Sequence, residues 1–239
     1  DLSAFALMMK AREKDQRFFS RGIEPNICVL ENVEFTDGEL EQYMDAVGRD
    51  LFTGELEHTL KQFEQAENVG SLIRPSLSNP KYVKEELNKR GIPQELFLHK
   101  THQKALKILD YSEYLQSRYH MVVANPPYMG SGNMNDGLKS YLNRSYQDYK
   151  KDLFSAFIIR NLELSVSKGH LGFMSPYVWM FISSYEQLRK QIVNNATISS
   201  LIQLEYSGFA GATVPICAFT IENYHRPKYY GSYIKLSEF

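Results

Sequence analysis

Four consecutive residues, Asn125-Pro126-Pro127-Tyr128, hold the densest chemical information in the chain. Two successive prolines fix two φ angles and remove two backbone donors, so this tetrapeptide forms a rigid edge that presents carbonyls. Asn125 adds a side-chain acceptor, the Pro126 carbonyl adds a second, and Tyr128 offers a flat face for a planar ring. An aromatic amine meets all three requirements. The exocyclic amine of adenine is one such group. It is a poor nucleophile because its lone pair is delocalised into the ring, and two acceptors on its hydrogens favour the pyramidal form that can attack a methyl group. Positioning and electrostatics then do most of the catalysis. No strong base is needed if the proton leaves after the methyl has transferred. The plainer alternative is a strand-to-loop turn in which Asn and Pro serve geometry alone.

The elements that must position this turn are legible from apolar spacing. Leu2, Phe5, Ala6, Met9 and Phe18 fall on one face of a predicted helix from Leu2 to Phe19, ended by Gly22 and Pro25. Ile27 to Leu30 is a short apolar run that predicts a strand buried on both faces, with Asn32 beyond its carboxyl end. Thr36 followed by Glu39 is a capping-box pattern, and Leu56, Leu60, Phe63 and Ala66 have helical spacing. The stretch from Thr36 to about Arg118 is therefore expected to be a helical insertion, broken by Pro75, Pro80 and Pro93. Tyr119 to Ala124 predicts a strand running into Asn125, and Asp152 can cap a helix carrying Phe154, Phe157, Ile158, Leu162 and Leu164 that ends near Gly169. A strand at Leu171 to Met174, a helix around Tyr185 to Val193 and strands at Ile198 to Leu204, Val214 to Ile221 and Ser232 to Leu236 follow. Apolar strands alternating with helices predict an α/β fold with a mostly parallel sheet covered on both faces. In such sheets ligands sit beyond the carboxyl ends of the strands, where Asn32 and Asn125 are expected.

Composition bounds the function. The 239 residues are 43% hydrophobic, 13% aromatic and 23% charged, which is enough for a sizeable core and excludes disorder as the main description. Lys and Arg total 27 against 28 Asp and Glu, a net charge of −1, so any nucleic-acid affinity must come from a local patch or from parts of a longer protein. Cys28 and Cys217 lie in apolar runs and read as buried thiols of a reducing compartment. The longest apolar stretch, Leu171 to Ile182, contains Pro176 and is too short for a membrane span, and the amino terminus shows no signal segment; a cytoplasmic location is expected. The chain starts with Asp1 and stops just after a strand-like segment, so it is read as a fragment that is inactive by itself.

Asn125-Pro126-Pro127-Tyr128 after an apolar strand resembles motif IV of the S-adenosylmethionine-dependent amino-group methyltransferases, above all the adenine-N6 DNA methyltransferases of the gamma arrangement. Asp152 to Phe157 is similar to the motif V helix start, Gly169 to Pro176 to the strand after it, and Gly208 to Pro215 to motif VIII. Leu2 to Ala11, Asn125 to Gln147 and Tyr206 to Cys217 resemble the methyltransferases of bacterial BREX phage-defence systems. The resemblance implies a partial Rossmann-like methyltransferase sheet that lacks its first strands and carries a helical insertion. It divides the chain into 1–35, 36–118 and a catalytic half, 119–239. It implies S-adenosylmethionine as cofactor, double-stranded DNA as substrate and other phage-defence proteins as partners. Asn125 and the Pro126 carbonyl would hold the target amine, with Pro127 fixing the turn; Tyr128 would stack on the extruded adenine and Phe209 would meet it from a second side. Phe157 would pack on the adenine of the cofactor and Asn32 would hydrogen-bond it. The plain reading of Phe157 is a core aromatic, and that of Phe209 a lid in a glycine loop. The glycine-rich loop that holds the cofactor's methionine part, and the acidic residue for its ribose, are expected upstream of Asp1.

Other candidates carry less. Lys139, Arg144, Lys150 and Lys151, interleaved with Tyr141, Tyr146 and Tyr149, either meet a phosphate backbone or form a solvated face. Gly130-Ser131-Gly132 follows the turn and reads as loop flexibility. His99 and His102 lack the partners of a metal site, so no metal is expected. No serine sits in a nucleophile elbow, which leaves hydrolase readings without support. Two readings stay open beside the first. Glutamine-N5 protein methyltransferases share the turn because a carboxamide nitrogen poses the same problem of a delocalised lone pair; the other is a non-catalytic DNA-binding or docking component.

Overall fold

The structure, a computed structural model, describes residues 2–48, 51–90, 95–205 and 214–236. Helix α1 (Leu2–Lys14) ends four residues before Phe18 because the Asp15 carboxylate accepts the Arg17 N–H (3.0 Å), an alternative to the helical bond. A 3-10 turn, Phe18–Arg21, follows and stops at Gly22, whose φ of 61° suits glycine. The predicted single helix to Phe19 is thus two pieces. Leu2 and Phe5 on α1 remain 82% and 61% exposed.

Residues 23–36 contain neither helix nor strand, which corrects the buried strand expected at Ile27 to Leu30; Val29 is 65% exposed. An apolar run becomes a strand only where another strand can take its backbone bonds. Here the segment is held by helices instead: Asn26 Oδ1 accepts the Tyr114 hydroxyl (2.6 Å), and the Val33 N–H donates to the Phe63 carbonyl (3.1 Å).

Five helices follow: α2 (Glu39–Val47), α3 (Leu51–Gln62), α4 (Ala66–Val69), α5 (Pro80–Arg90) and α6 (Leu96–Gln116). The predicted spacing Leu56, Leu60, Phe63 and Ala66 is buried throughout, although the helix breaks at Phe63. Pro80 opens α5, where its missing N–H costs nothing; Pro93 lies outside the described residues. Glu39 is the buried charge of this unit. The Thr36 N–H donates to its carboxylate (2.9 Å) as in a capping box, but the Thr36 hydroxyl also donates to it (3.2 Å), as do Thr101 (2.8 Å) and Lys104 (2.8 Å). Burial opposes ionisation, yet these donors outweigh it and hold the carboxyl at about 2. A depressed carboxyl pKa stabilises the fold above its unfolded value and loses that effect as pH falls through the folded one. Glu39→Gln should therefore melt below the parent protein at pH 7, with the gap closing between about pH 4.5 and 2 in thermal melts. A gap independent of pH would show that Glu39 acts by packing alone.

The second half builds the sheet. Strand β1 (Tyr119–Ala124) leads to α7 (Asp136–Ser145) and α8 (Leu153–Leu164), then β2 (Ser165–Pro176), α9 (Glu186–Asn195), β3 (Thr197–Gln203), β4 (Ile216–Glu222) and β5 (Ser232–Lys235). The spatial order is β1-β2-β4-β3-β5, with β1 parallel to β2, β3 parallel to β5, and β4 antiparallel to both neighbours. The sheet is mixed rather than mostly parallel. β3 and β4 follow one another without a helical pattern between them, and a parallel return usually requires one.

Period-2 burial separates the two faces. Val122, Ala124, Leu171, Phe173, Cys217, Phe219, Ile221 and Leu201 share the side that joins the core with Phe154 and Ile158 of α8 and Leu188 and Ile192 of α9. Met121 and Val123 point the other way and are 72% and 79% exposed, so among the described residues the sheet is covered on one face, not both. Arg160 of α8 ties the sheet to the helices: it is buried and donates to the carbonyls of Ser71, Ile73 and Leu115.

Candidate active site

Parallel pairing of β1 on β2 carries the chain to Ala124, which faces Phe173, and releases it at Asn125. Pro126 is buried beneath the turn while Asn125, Pro127 and Tyr128 reach solvent. The Tyr128 hydroxyl donates to Asn125 Oδ1 at 2.9 Å. This bond orients the carboxamide, because only its oxygen can accept. Burial pushes the Tyr128 hydroxyl up, and the nearby Cys217 thiol adds to it; Cys217 is itself pushed up to about 11 by burial. Neither Cys28 nor Cys217 is in a disulfide.

The far end of the turn is fastened to α8. Asp152 caps that helix as the sequence predicts, accepting the Phe154 N–H (3.3 Å), and its Oδ1 also accepts the Met129 N–H (3.1 Å). The Leu153 N–H returns a bond to the Met129 carbonyl (3.0 Å), and the Ser131 N–H donates to the Lys151 carbonyl (3.0 Å). Burial holds the Asp152 carboxyl above its ordinary value in spite of the backbone donors aimed at it.

Phe157 lies on α8, half-buried against the core, while its chain neighbours Ala156 and Ile158 are wholly buried. Asn32 is elsewhere engaged: its Oδ1 accepts the Glu67 N–H (2.9 Å) in the first turn of α4. Phe209 lies outside the described residues. The basic residues divide between two grooves. Lys139, Lys150 and Lys151 line one of about 510 Å³ with Asn143, whose Oδ1 accepts from the Lys150 ammonium (2.7 Å). Arg144 instead stands 5.8 Å from the Tyr141 ring and lines a separate groove with His58 and Gln65. On the uncovered face of the sheet, a depression of about 440 Å³ lined by Val123, Gly172, Met174, Ile202 and Ala218 reaches Asn125.

Two features of the site escape sequence reasoning. The bond between Asn125 and Tyr128 is foreshadowed only by their spacing of three across a turn. That of Asp152 to Met129 joins residues 23 apart and leaves no local signal. His102 Nδ1 lies 2.9 Å from the buried Tyr43 hydroxyl, a core contact. Among the described residues, no three His, Cys, Asp or Glu side chains converge, and no helix is long and apolar enough to cross a membrane.

The profile of the Eco57I restriction-modification methylase family matches residues 2–209. The adenine-specific methyltransferase BrxX of Escherichia coli O9:H4 (strain HS) is 30% identical over 98% of this chain and 22% of its own length. The adenine-specific methyltransferase PglX of Lacticaseibacillus casei (strain Zhang) is 30% identical over 100% of this chain and 20% of its own. The chain thus spans about a fifth of the length of these relatives. A Listeria monocytogenes structure described as a class I S-adenosylmethionine-dependent methyltransferase aligns over 94% of this chain and 78% of its own, with a TM-score of 0.43 and 14% identity.

Proposed function

The chain belongs to the Eco57I restriction-modification methylase family, and from that premise we propose that it is a catalytic part of an enzyme that methylates the N6 amine of adenine in DNA. The observation that carries this reading is the turn itself: an oriented Asn125 carbonyl and an accessible Tyr128 ring at the carboxyl end of β1. In this reading an adenine rotated out of the duplex stacks on Tyr128, and its amine donates to Asn125 Oδ1 and the Pro126 carbonyl. The two acceptors draw the nitrogen toward the pyramidal geometry in which its lone pair is free to attack. S-adenosylmethionine, when bound, supplies the electrophilic methyl group. The half-buried Phe157 ring fits the cofactor's adenine, whereas Asn32 has its carboxamide oxygen committed to Glu67, leaving its amide nitrogen as the group to reach a ligand. Lys139, Lys150 and Lys151 line a groove suited to a phosphate backbone, and Arg144 serves a different surface. The relatives are named as adenine-specific methyltransferases; on the resemblance to BREX methyltransferases, the whole protein is proposed to act in phage defence beside other proteins of that system.

Stacking as the role of Tyr128 makes a separable demand. Tyr128→Ala should lose roughly 1 to 3 kcal/mol of base binding, and Tyr128→Phe should retain much more activity because the ring stays. Equal loss in both would mean that the hydroxyl bond to Asn125 matters more than the ring. The function as a whole is tested in cells: deleting the gene should remove N6-methyladenine from a defined set of sites in host DNA. An unchanged methylation map would favour a docking component that keeps the fold without the chemistry.

A further inference from the structure

We propose that Asp152 is a positioning residue for methyl transfer, holding the Asn125–Tyr128 turn at a fixed angle to α8, the helix that carries Phe157; this rests on the reading of that turn as the amine-binding site. The turn has two anchors. Upstream, β1 pairs with β2 as far as Ala124 and Phe173. Downstream, Met129 is bonded in both directions to the start of α8: its N–H to the Asp152 carboxylate (3.1 Å), and its carbonyl to the Leu153 N–H (3.0 Å). Pro126 and Pro127 have no N–H, so this stretch of backbone is poor in donors that could fasten it by other means. The Leu153 bond and that of the Ser131 N–H to the Lys151 carbonyl (3.0 Å) together make an isolated antiparallel bridge between Gly130 and Asp152, which the carboxylate bond reinforces.

A helix cap needs only the bond to Phe154; the bond to Met129 is additional. Through it, the carboxylate adds a side-chain link to the backbone bonds that couple the acceptor for the amine to the helix proposed to pack on the cofactor's adenine. In-line transfer depends on the distance and angle between donor and acceptor, and a displacement of about 1 Å costs on the order of a hundredfold in rate. Asp152 touches neither partner in this scheme, and its effect passes through the turn.

The test uses the full-length protein containing this chain and sets Asp152→Ala beside Asp152→Asn and Asn135→Ala. Asn135 is a matched control: its Oδ1 caps α7 by accepting the Leu138 N–H (2.9 Å), and it pairs with Asn68, without a bond to the turn. Asp152→Ala should lower kcat on the order of a hundredfold while KM for S-adenosylmethionine changes little. Asp152→Asn keeps an acceptor oxygen and should recover most of the rate; Asn135→Ala should lower the melting temperature and leave kcat in place. Hydrogen exchange at the Met129 amide reads the tether without reference to substrate and should accelerate in Asp152→Ala alone. Unchanged Met129 exchange, or equal kcat losses in Asp152→Ala and Asn135→Ala, would overturn the proposal. Accelerated exchange in a protein whose parent form transfers no methyl to adenine would instead keep the tether and refute the reading of the turn.

Discussion

In the full-length protein containing this chain, Asn125→Ala will transfer methyl groups at least about a hundredfold more slowly than the parent, while cofactor affinity stays nearly unchanged. The substitution removes one preorganised acceptor from the reacting amine, and the loss of one such contact is worth about 3 kcal/mol in the transition state. The fold should survive. Asn125 is exposed, and the side-chain bond it loses is the one from Tyr128. Single-turnover rates with saturating S-adenosylmethionine, alongside calorimetric titration of the cofactor, separate the chemical step from binding. Parent-like turnover would remove Asn125 from the mechanism and with it the identification of the turn.

Arg160→Met should destabilise the fold by about 3 kcal/mol or more, although it lies far along α8 from the turn. The guanidinium donates to the carbonyls of Ser71, Ile73 and Leu115 and approaches Glu163 at 3.4 Å, so one side chain satisfies buried acceptors on both sides of the junction between the helices and α8. Removal leaves those carbonyls unpaired in the core. Arg160→Lys should recover little, since a single ammonium cannot reproduce the planar fork that reaches three carbonyls at once. Urea unfolding of the three proteins gives the comparison, and an Arg160→Met midpoint equal to the parent's would show that the junction is held by apolar packing alone.

Local signals carried much of this architecture. The helix at 186–195, the strand before the turn and the Asp152 cap follow from periodicity and capping chemistry that act within a few residues. The failures share a different origin. Ile27 to Leu30 has the composition of a buried strand, but strand formation is decided by whether a partner edge is present, which no window of sequence records. The antiparallel course of β4 depends on how the chain returns after β3, and the open face bearing Val123 depends on what packs against it. Within the site, the types of Asn125 and Tyr128 and their spacing carry the proposed chemistry. The partners of Asn32 and the second bond of Asp152 are long-range contacts and became visible only in the fold. The charge run showed the same limit: spacing along the chain suggested one basic surface, and the fold gives Arg144 to one groove and the three lysines to another.

The central claim is that the Asn125–Tyr128 turn accepts adenine. Purified full-length protein, supplied with methyl-labelled S-adenosylmethionine and genomic DNA from a host that lacks it, should place the label in N6-methyladenine when the DNA is digested to nucleosides and analysed by mass. Asn125→Ala in the same assay should leave the DNA unlabelled. Label recovered in protein glutamine instead, or in no macromolecule at all, would contradict the account.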